Sequence, residues 1–406
     1  DWMDGYRVFQ WSPEAFSDPR KLMADLAEIG VKVVTIIDPG IKADDSYSVA
    51  ESGLDGGHFV KYPDGKVYKG EVWPGWSYFP DFTSPKTRQW WSGLFKEMVD
   101  IGVRGFWNDM NEPAVWGQAF PDFIHFNFDG IGKSHKAAHN VYGMQMARST
   151  YEGAKNYLNG DRTLIVTRAG YAGVQRYSAV WTGDNVSEDY HYRLGAVMVQ
   201  GLGLSGVSFA GPDIGCFVGS PSPELFARWI QLGVFTPFFR THSVRNSKAQ
   251  EPWTFGEDVE SNTREMICLR YKLLPYIYTS VYHSFLTGKP VVKPLFWFNQ
   301  DDEMVYQEAF QYQYYFGDYF IVVAAKVHQD FTRVYLPEGL WYEFDTDRKY
   351  SGKQAIIIDS TWTRLPVFVK AGAVITMRDA QNFADETKFE SADLHFYPGN
   401  NSETDF

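Results

Sequence analysis

Four aspartates in this 406-residue sequence each lie at or just after a short apolar run. The runs are Thr35-Ile-Ile-Asp38, Phe106-Trp-Asn-Asp109-Met-Asn-Glu-Pro113, Val180-Trp-Thr-Gly-Asp184-Asn and Phe209-Ala-Gly-Pro-Asp213. Arg168 and His242 hold comparable positions, after Ile165-Val-Thr and Phe238-Phe-Arg-Thr. A single aspartate so placed reads most simply as a helix N-cap or a turn residue. Six polar groups at the ends of six runs read better as one rim. Two carboxylates with a third acid and an arginine suit cleavage of a glycosidic bond. One attacks the anomeric carbon; the other protonates the departing oxygen and then activates water. The proton donor needs burial or a neighbouring carboxylate to keep its proton near neutrality, and the nucleophile needs donors that keep it ionised. Asp109 and Glu112 both qualify as nucleophile on chemistry, and position relative to the run favours Asp109.

Parallel βα units would put strand ends on one rim. Runs rich in Val, Ile and Phe alternate with helical periodicity, as such units require. Strands are expected at Val33–Ile37, Val103–Trp107, Leu164–Thr167, Ala179–Trp181, Val207–Phe209 and Phe235–Phe239. Helices are expected at Lys21–Ile29, Ala137–Tyr157, Tyr192–Gln200, Glu224–Leu232 and Thr263–Leu286. A further helix begins with Ser84 as cap and Pro85 in its first turn, with Trp90, Leu94 and Met98 on one face. About ten residues separate the strands near 167 and 179, so one repeat is abbreviated. Beyond residue 290, short alternating segments between Gly and Pro predict an antiparallel β-sandwich. The expected fold is therefore α/β: a (β/α)₈ barrel of the TIM type, followed by that sandwich. Strand ends at the C-terminal face of such a barrel carry the active site.

Net charge is −12, which disfavours a phosphate backbone as partner, and no apolar run approaches membrane-spanning length. Neither nucleic acid nor membrane is an expected partner. Aromatic residues reach 17%, more than a core alone asks for, so some are expected to line a wet cleft where rings stack on sugars. The two cysteines, Cys216 and Cys268, give no disulfide framework. The chain opens at Asp1 with neither Met nor an apolar leader and stops abruptly at Phe406, so it is read as an internal piece of a longer polypeptide. A cytoplasmic and a secreted or periplasmic setting both fit. Oligomeric state is left open.

Trp107-Asn-Asp-Met-Asn-Glu-Pro113 resembles the nucleophile motif of glycoside hydrolase family thirty-one, the α-glucosidase family. Similar to the family as well are Asp1-Trp-Met-Asp-Gly-Tyr-Arg-Val-Phe-Gln-Trp11, Val72-Trp-Pro-Gly75, Phe79-Pro-Asp-Phe-Thr83, Asp213-Ile-Gly-Cys-Phe217, Arg240-Thr-His242 and Leu365-Pro-Val-Phe-Val-Lys-Ala-Gly372. The resemblance implies Asp109 as nucleophile and Asp184 as acid/base. Arg168 would bind the sugar and the nucleophile, and Asp38 and His242 the hydroxyls of the terminal glucose. Trp73, Trp107, Met110, Trp181 and Phe217 would line that subsite, with Trp11 at its edge and Asp213 among the binding residues. It also implies residues 1–289 as a barrel lacking its first strand, 290–385 as a proximal sandwich and 386–406 as the start of a distal β-domain. The expected activity is a retaining, exo-acting release of glucose from α-1,4- or α-1,6-linked oligosaccharides, with no cofactor or metal. Retention implies carboxyl groups about 5–6 Å apart.

Three rivals remain: an α-transglucosylase using the same covalent intermediate, a catalytically silent sugar-binding protein, and a hydrolase of other α-glycosides. His135 and His139, at i, i+4 spacing, raise a metal pair, but a solvated helix face is the simpler reading. Asn185-Val-Ser187 and Asn400-Asn-Ser402 fit the N-glycosylation pattern and are read as chance.

Overall fold

The computed structural model describes residues 2–399. The chain divides into two compact units, residues 1–180 and 181–406.

β1 (Val34–Ile37), β2 (Gly105–Asn108), β3 (Leu164–Thr167) and β4 (Ala179–Trp181) lie side by side in chain order, all parallel, and the first unit ends within β4, at Val180. Strands that add in one direction without a switch point curl towards a barrel rather than a doubly wound sheet. Helix α1 (Pro19–Glu28) precedes β1, α2 (Pro85–Ile101) lies between β1 and β2, and α3 (His135–Tyr157) lies between β2 and β3. Between β3 and β4 only the 3₁₀ turn Val174–Arg176 intervenes, the abbreviation expected from the spacing.

Helix α2 departs from expectation twice. Ser84 stands at its N-cap but its side chain makes no capping bond. The buried face carries Trp91, Phe95 and Met98, while Trp90 and Leu94 are only partly buried. Trp91 packs edge-on against Phe9 and Phe82, and Phe95 against Phe106, at ring separations of 4.7–5.2 Å. Bulky apolar residues stand at both 90/94 and 91/95, and the aromatic partners across the core select the second pair.

The second unit begins with α4 (Asp189–Leu204), β5 (Ala210–Gly211), β6 (Asp213–Ile214), α5 (Pro223–Val234) and β7 (Arg240–Thr241). The strand expected at Val207–Phe209 forms three residues later. Phe235–Phe239 is not a strand. Pro237 has no N–H for a ladder, and Arg270 donates instead to the carbonyls of Val234, Thr236 and Pro237. That arginine comes from α6 (Glu257–Lys272), which a break at Leu273 separates from α7 (Leu274–Thr287). Pro275 sits in the first turn of α7, which divides the single helix expected over this stretch.

The C-terminal part is antiparallel, as expected. Its six-stranded sheet comprises β8 (Val292–Pro294), β9 (Gln313–Phe316), β10 (Phe320–Val323), β12 (Leu340–Glu343), β13 (Lys349–Ser351) and β15 (Val367–Lys370), in the order β8-β9-β10-β15-β12-β13. A second pair joins β11 (Phe331–Leu336) to β14 (Gln354–Asp359). A third joins β16 (Val374–Met377) to β17 (Asp393–Phe396). Asn400-Asn-Ser402 and Asp1 lie outside the described residues. Among those described, no helix is long and apolar enough to cross a membrane.

Candidate active site

Parallel register builds the first half of the site. Ile37 pairs with Asn108, and Asn108 with Thr167, so the next residues, Asp38, Asp109 and Arg168, emerge side by side at the C-terminal strand ends. The amides continue that alignment: Asp109 N donates to Ile37 O (3.3 Å) and Arg168 N to Asn108 O (3.0 Å). Arg168 then forks between two carboxylates. Its Nη1 stands 2.9 Å from Asp109 Oδ1, while Nε and Nη2 donate to the two oxygens of Glu112 at 2.8 Å each. Nη2 also reaches Met110 Sδ at 3.1 Å. A planar fork of this kind fixes direction as well as charge.

The loop after β2 is shaped to permit this. Met110 adopts a left-handed φ of +56°, unusual for a side chain of its kind, and its N–H donates to Asp109 Oδ1 (2.9 Å). The Glu112–Pro113 peptide is cis. Asn111, fully buried, donates to Thr167 Oγ1 (2.8 Å) and accepts from Ala169 N (3.1 Å), gripping the chain on both sides of Arg168. Gly143 of α3 lets the helix approach: a Cβ there would stand 2.7 Å from Ala169 O and 2.8 Å from Asn111 O.

Asp38 is buried, and its Oδ1 has no hydrogen-bond partner among the described residues. Burial raises its pKa to about 7, helped by the negative charges of Asp109 and Glu112 and opposed by Arg168. A buried oxygen without a partner is what a hydroxyl-bearing ligand would satisfy. Trp11 Nε1 is likewise buried without a partner among the described residues. Trp107 lies on β2, one residue before Asn108. Trp73 is half-exposed rather than enclosed; it stacks with Tyr6 (6.2 Å, 24°) and meets Trp116 edge-on (4.9 Å, 83°).

Because Asp38 is held above the value of a free carboxylate, the fold binds its proton more tightly than the unfolded chain does. Between about pH 4 and 7 the native state carries more protons, so stability falls as pH rises through that window. Asp38→Asn is expected to remove this fall. The variant gains thermal stability at pH 8, by on the order of 4 kcal/mol at most, and none at pH 3. Parallel melting curves across that range check it; a constant offset at every pH would contradict the raised carboxyl.

The second unit carries its own cluster. Asp213 is fully buried and pairs with Arg240 through the parallel register of β6 and β7. The Arg240 guanidinium lies over the rings of Trp181 (5.2 Å) and Phe238 (5.6 Å). His242 stacks on Phe217 (5.1 Å, 26°), and burial, with Arg240 nearby, lowers its pKa to about 4. The imidazole is therefore neutral near pH 7, suited to a sugar hydroxyl rather than an anion. Asp184 is exposed.

From the sequence alone Glu112 stands only as a rival nucleophile, and Arg240, Asn111 and Asn185 have no assigned role. The Arg-Thr-His triplet was the available signal for Arg240. The solvated-face reading of the histidines fails for His135, which is buried against Phe120 and within hydrogen-bond reach of His139 (3.0 Å). Among the described residues, no group of three or more His, Cys, Asp or Glu could hold a metal ion.

Residues 1–280 match the glycosyl hydrolases family 31 TIM-barrel domain, and residues 288–375 the family's C-terminal domain. The chain belongs to glycosyl hydrolase family 31. It is 42% identical to alpha-glucosidase 2 of Bacillus thermoamyloliquefaciens over 404 residues, 98% of this chain and 51% of that protein. Among solved structures it resembles the glucosidase II alpha subunit bound to alpha3-Glc2, with a TM-score of 0.92 and 31% identity over 98% of this chain and 44% of that one. A Flavobacterium johnsoniae dextranase of the same family, complexed with glucose, gives a TM-score of 0.90 at 31% identity, covering 98% of this chain and 50% of that one. The chain thus spans about half the length of these relatives.

Proposed function

We propose that the protein containing this chain is a retaining α-glucosidase that removes single glucose units from the non-reducing ends of α-1,4- or α-1,6-linked oligosaccharides. The observation that carries the reading is Arg168, whose fork holds Asp109 and Glu112 beside the buried Asp38. Asp109 attacks the anomeric carbon and Asp184 protonates the leaving oxygen, then takes a proton from the water that releases glucose. Asp38, Arg168 and His242 bind hydroxyls of the terminal ring, and Asp213, a further binding residue, pairs with Arg240. Trp107, Met110, Trp181 and Phe217 form apolar walls, with Trp73 and Trp11 at the margin. The names of the relatives, an alpha-glucosidase, a glucosidase II subunit and a dextranase, support an α-glucoside substrate.

Asp184→Ala in the full-length protein tests the assignment. The variant is expected to lose activity on maltose and isomaltose by about 10²–10⁴-fold, yet to cleave glucosides with good leaving groups at rates close to wild type, since those need little protonation. Equal losses on both substrate types would remove Asp184 from the acid/base role.

A further inference from the structure

The residue after the proposed acid/base does more than continue the chain. Asn185 is buried, and both ends of its amide are engaged: Nδ2 donates to Asp213 O (2.7 Å), and Oδ1 accepts from Phe217 N (2.8 Å). The span it bridges, residues 213–217, is a turn with two consecutive left-handed residues, Gly215 at φ +88° and Cys216 at φ +93°. Backbone bonds extend the contact. Asn185 O accepts from Phe217 N (3.1 Å) and Val218 N (2.9 Å), Ser187 N donates to Val218 O (2.9 Å), and Val186 bridges Val218 in parallel. Val244 N in turn donates to Phe217 O (2.9 Å), which ties in the segment that carries His242.

We infer that Asn185 is a positioning residue: its carboxamide fixes the Asp184 segment against the turn that carries Asp213 and Phe217, and so sets where the Asp184 carboxyl stands when it delivers its proton. Asparagine suits this because one short side chain offers a donor and an acceptor at once. Aspartate in its place turns the donor into a second acceptor facing the Asp213 carbonyl, and alanine offers neither. Displacement of a catalytic group by about 1 Å costs on the order of 10²-fold in rate. The inference rests on the proposed role of Asp184 but adds a residue that acts only through it. The same contacts account for Asn185-Val-Ser187 as a glycosylation match without consequence in the folded chain, since the Nδ2 a glycan would take is buried and bonded.

The test compares Asn185→Ala and Asn185→Asp with wild type in the full-length protein, on maltose and on an aryl α-glucoside with a good leaving group. Both variants are expected to lose about 10- to 100-fold in kcat on maltose. On the activated glucoside, where proton delivery counts least, they lose no more than a few-fold. Melting curves run alongside separate positioning from unfolding. Equal losses on the two substrates, or activity on maltose within twofold of wild type, overturn the inference. A wild-type protein inactive on both glucosides would instead overturn the proposed function, so the two failures are distinguishable.

Discussion

Asp109→Ala is expected to abolish turnover of α-glucosides, by on the order of 10⁵-fold or more, and azide is expected to restore part of it on an activated substrate. The alanine opens space on the face from which Asp109 is proposed to attack, and a small anion enters it. The rescued product is then the β-glucosyl azide, because attack comes from the side opposite the leaving group. Chromatography and proton NMR of that product give the configuration directly. Activity within tenfold of wild type, or an α-glucosyl azide, would exclude Asp109 as nucleophile. Glu112→Gln is the paired control. Both Glu112 oxygens are engaged by Arg168, a geometry that orients an arginine rather than frees a nucleophile, so this variant should be slowed without azide rescue.

Arg168→Ala carries the next largest effect. One guanidinium opposes the charge of Asp109 and Glu112 and lowers the pKa of buried Asp38. Its removal leaves three carboxyl groups close together with that positive charge gone. A loss of about 10²–10³-fold in kcat/KM is expected, similar to removing a donor aimed at developing charge in a transition state. Arg168→Lys restores a positive charge but not the fork, so it should recover only a small part of the loss. The alanine variant also makes a second, independent change: the Asp38 carboxyl should titrate above 7, visible as a shift in the pH dependence of thermal stability. A variant that loses activity while that titration stays in place would mean Arg168 serves substrate binding alone.

The strand-end aspartates were legible in the sequence because parallel βα units leave a periodic trace, apolar runs that each stop at a polar residue. Asp38, Asp109 and Arg168 come together for that reason alone, as the register of β1, β2 and β3 puts consecutive strand ends abreast. What the sequence concealed depends on contacts between distant segments. Glu112 and Arg168 lie 56 positions apart, and only the turn through Met110 and the grip of Asn111 show that they meet. Asp213 and Arg240 pair across a two-residue ladder too short to leave a pattern. The apolar run 235–239 imitated a strand because periodicity cannot reveal a distant arginine taking up its carbonyls. His135 looked solvated because helical spacing does not show that Phe120, from the preceding loop, lies against it.

The close approach at Gly143 has a consequence for the kinds of sequence that could share this site. Any side chain there would displace the backbone at Ala169 or Asn111, and with it Arg168, the residue before Ala169. The position therefore works as a filter in descent: a chain could keep every aspartate of the rim and still lose the fork through a single alanine twenty-five positions before Arg168. A relative with all the acidic residues but a larger residue at this helix position should be read as having rebuilt its loop or abandoned its chemistry. The hidden glycine is thus as informative about lineage as the carboxylates themselves.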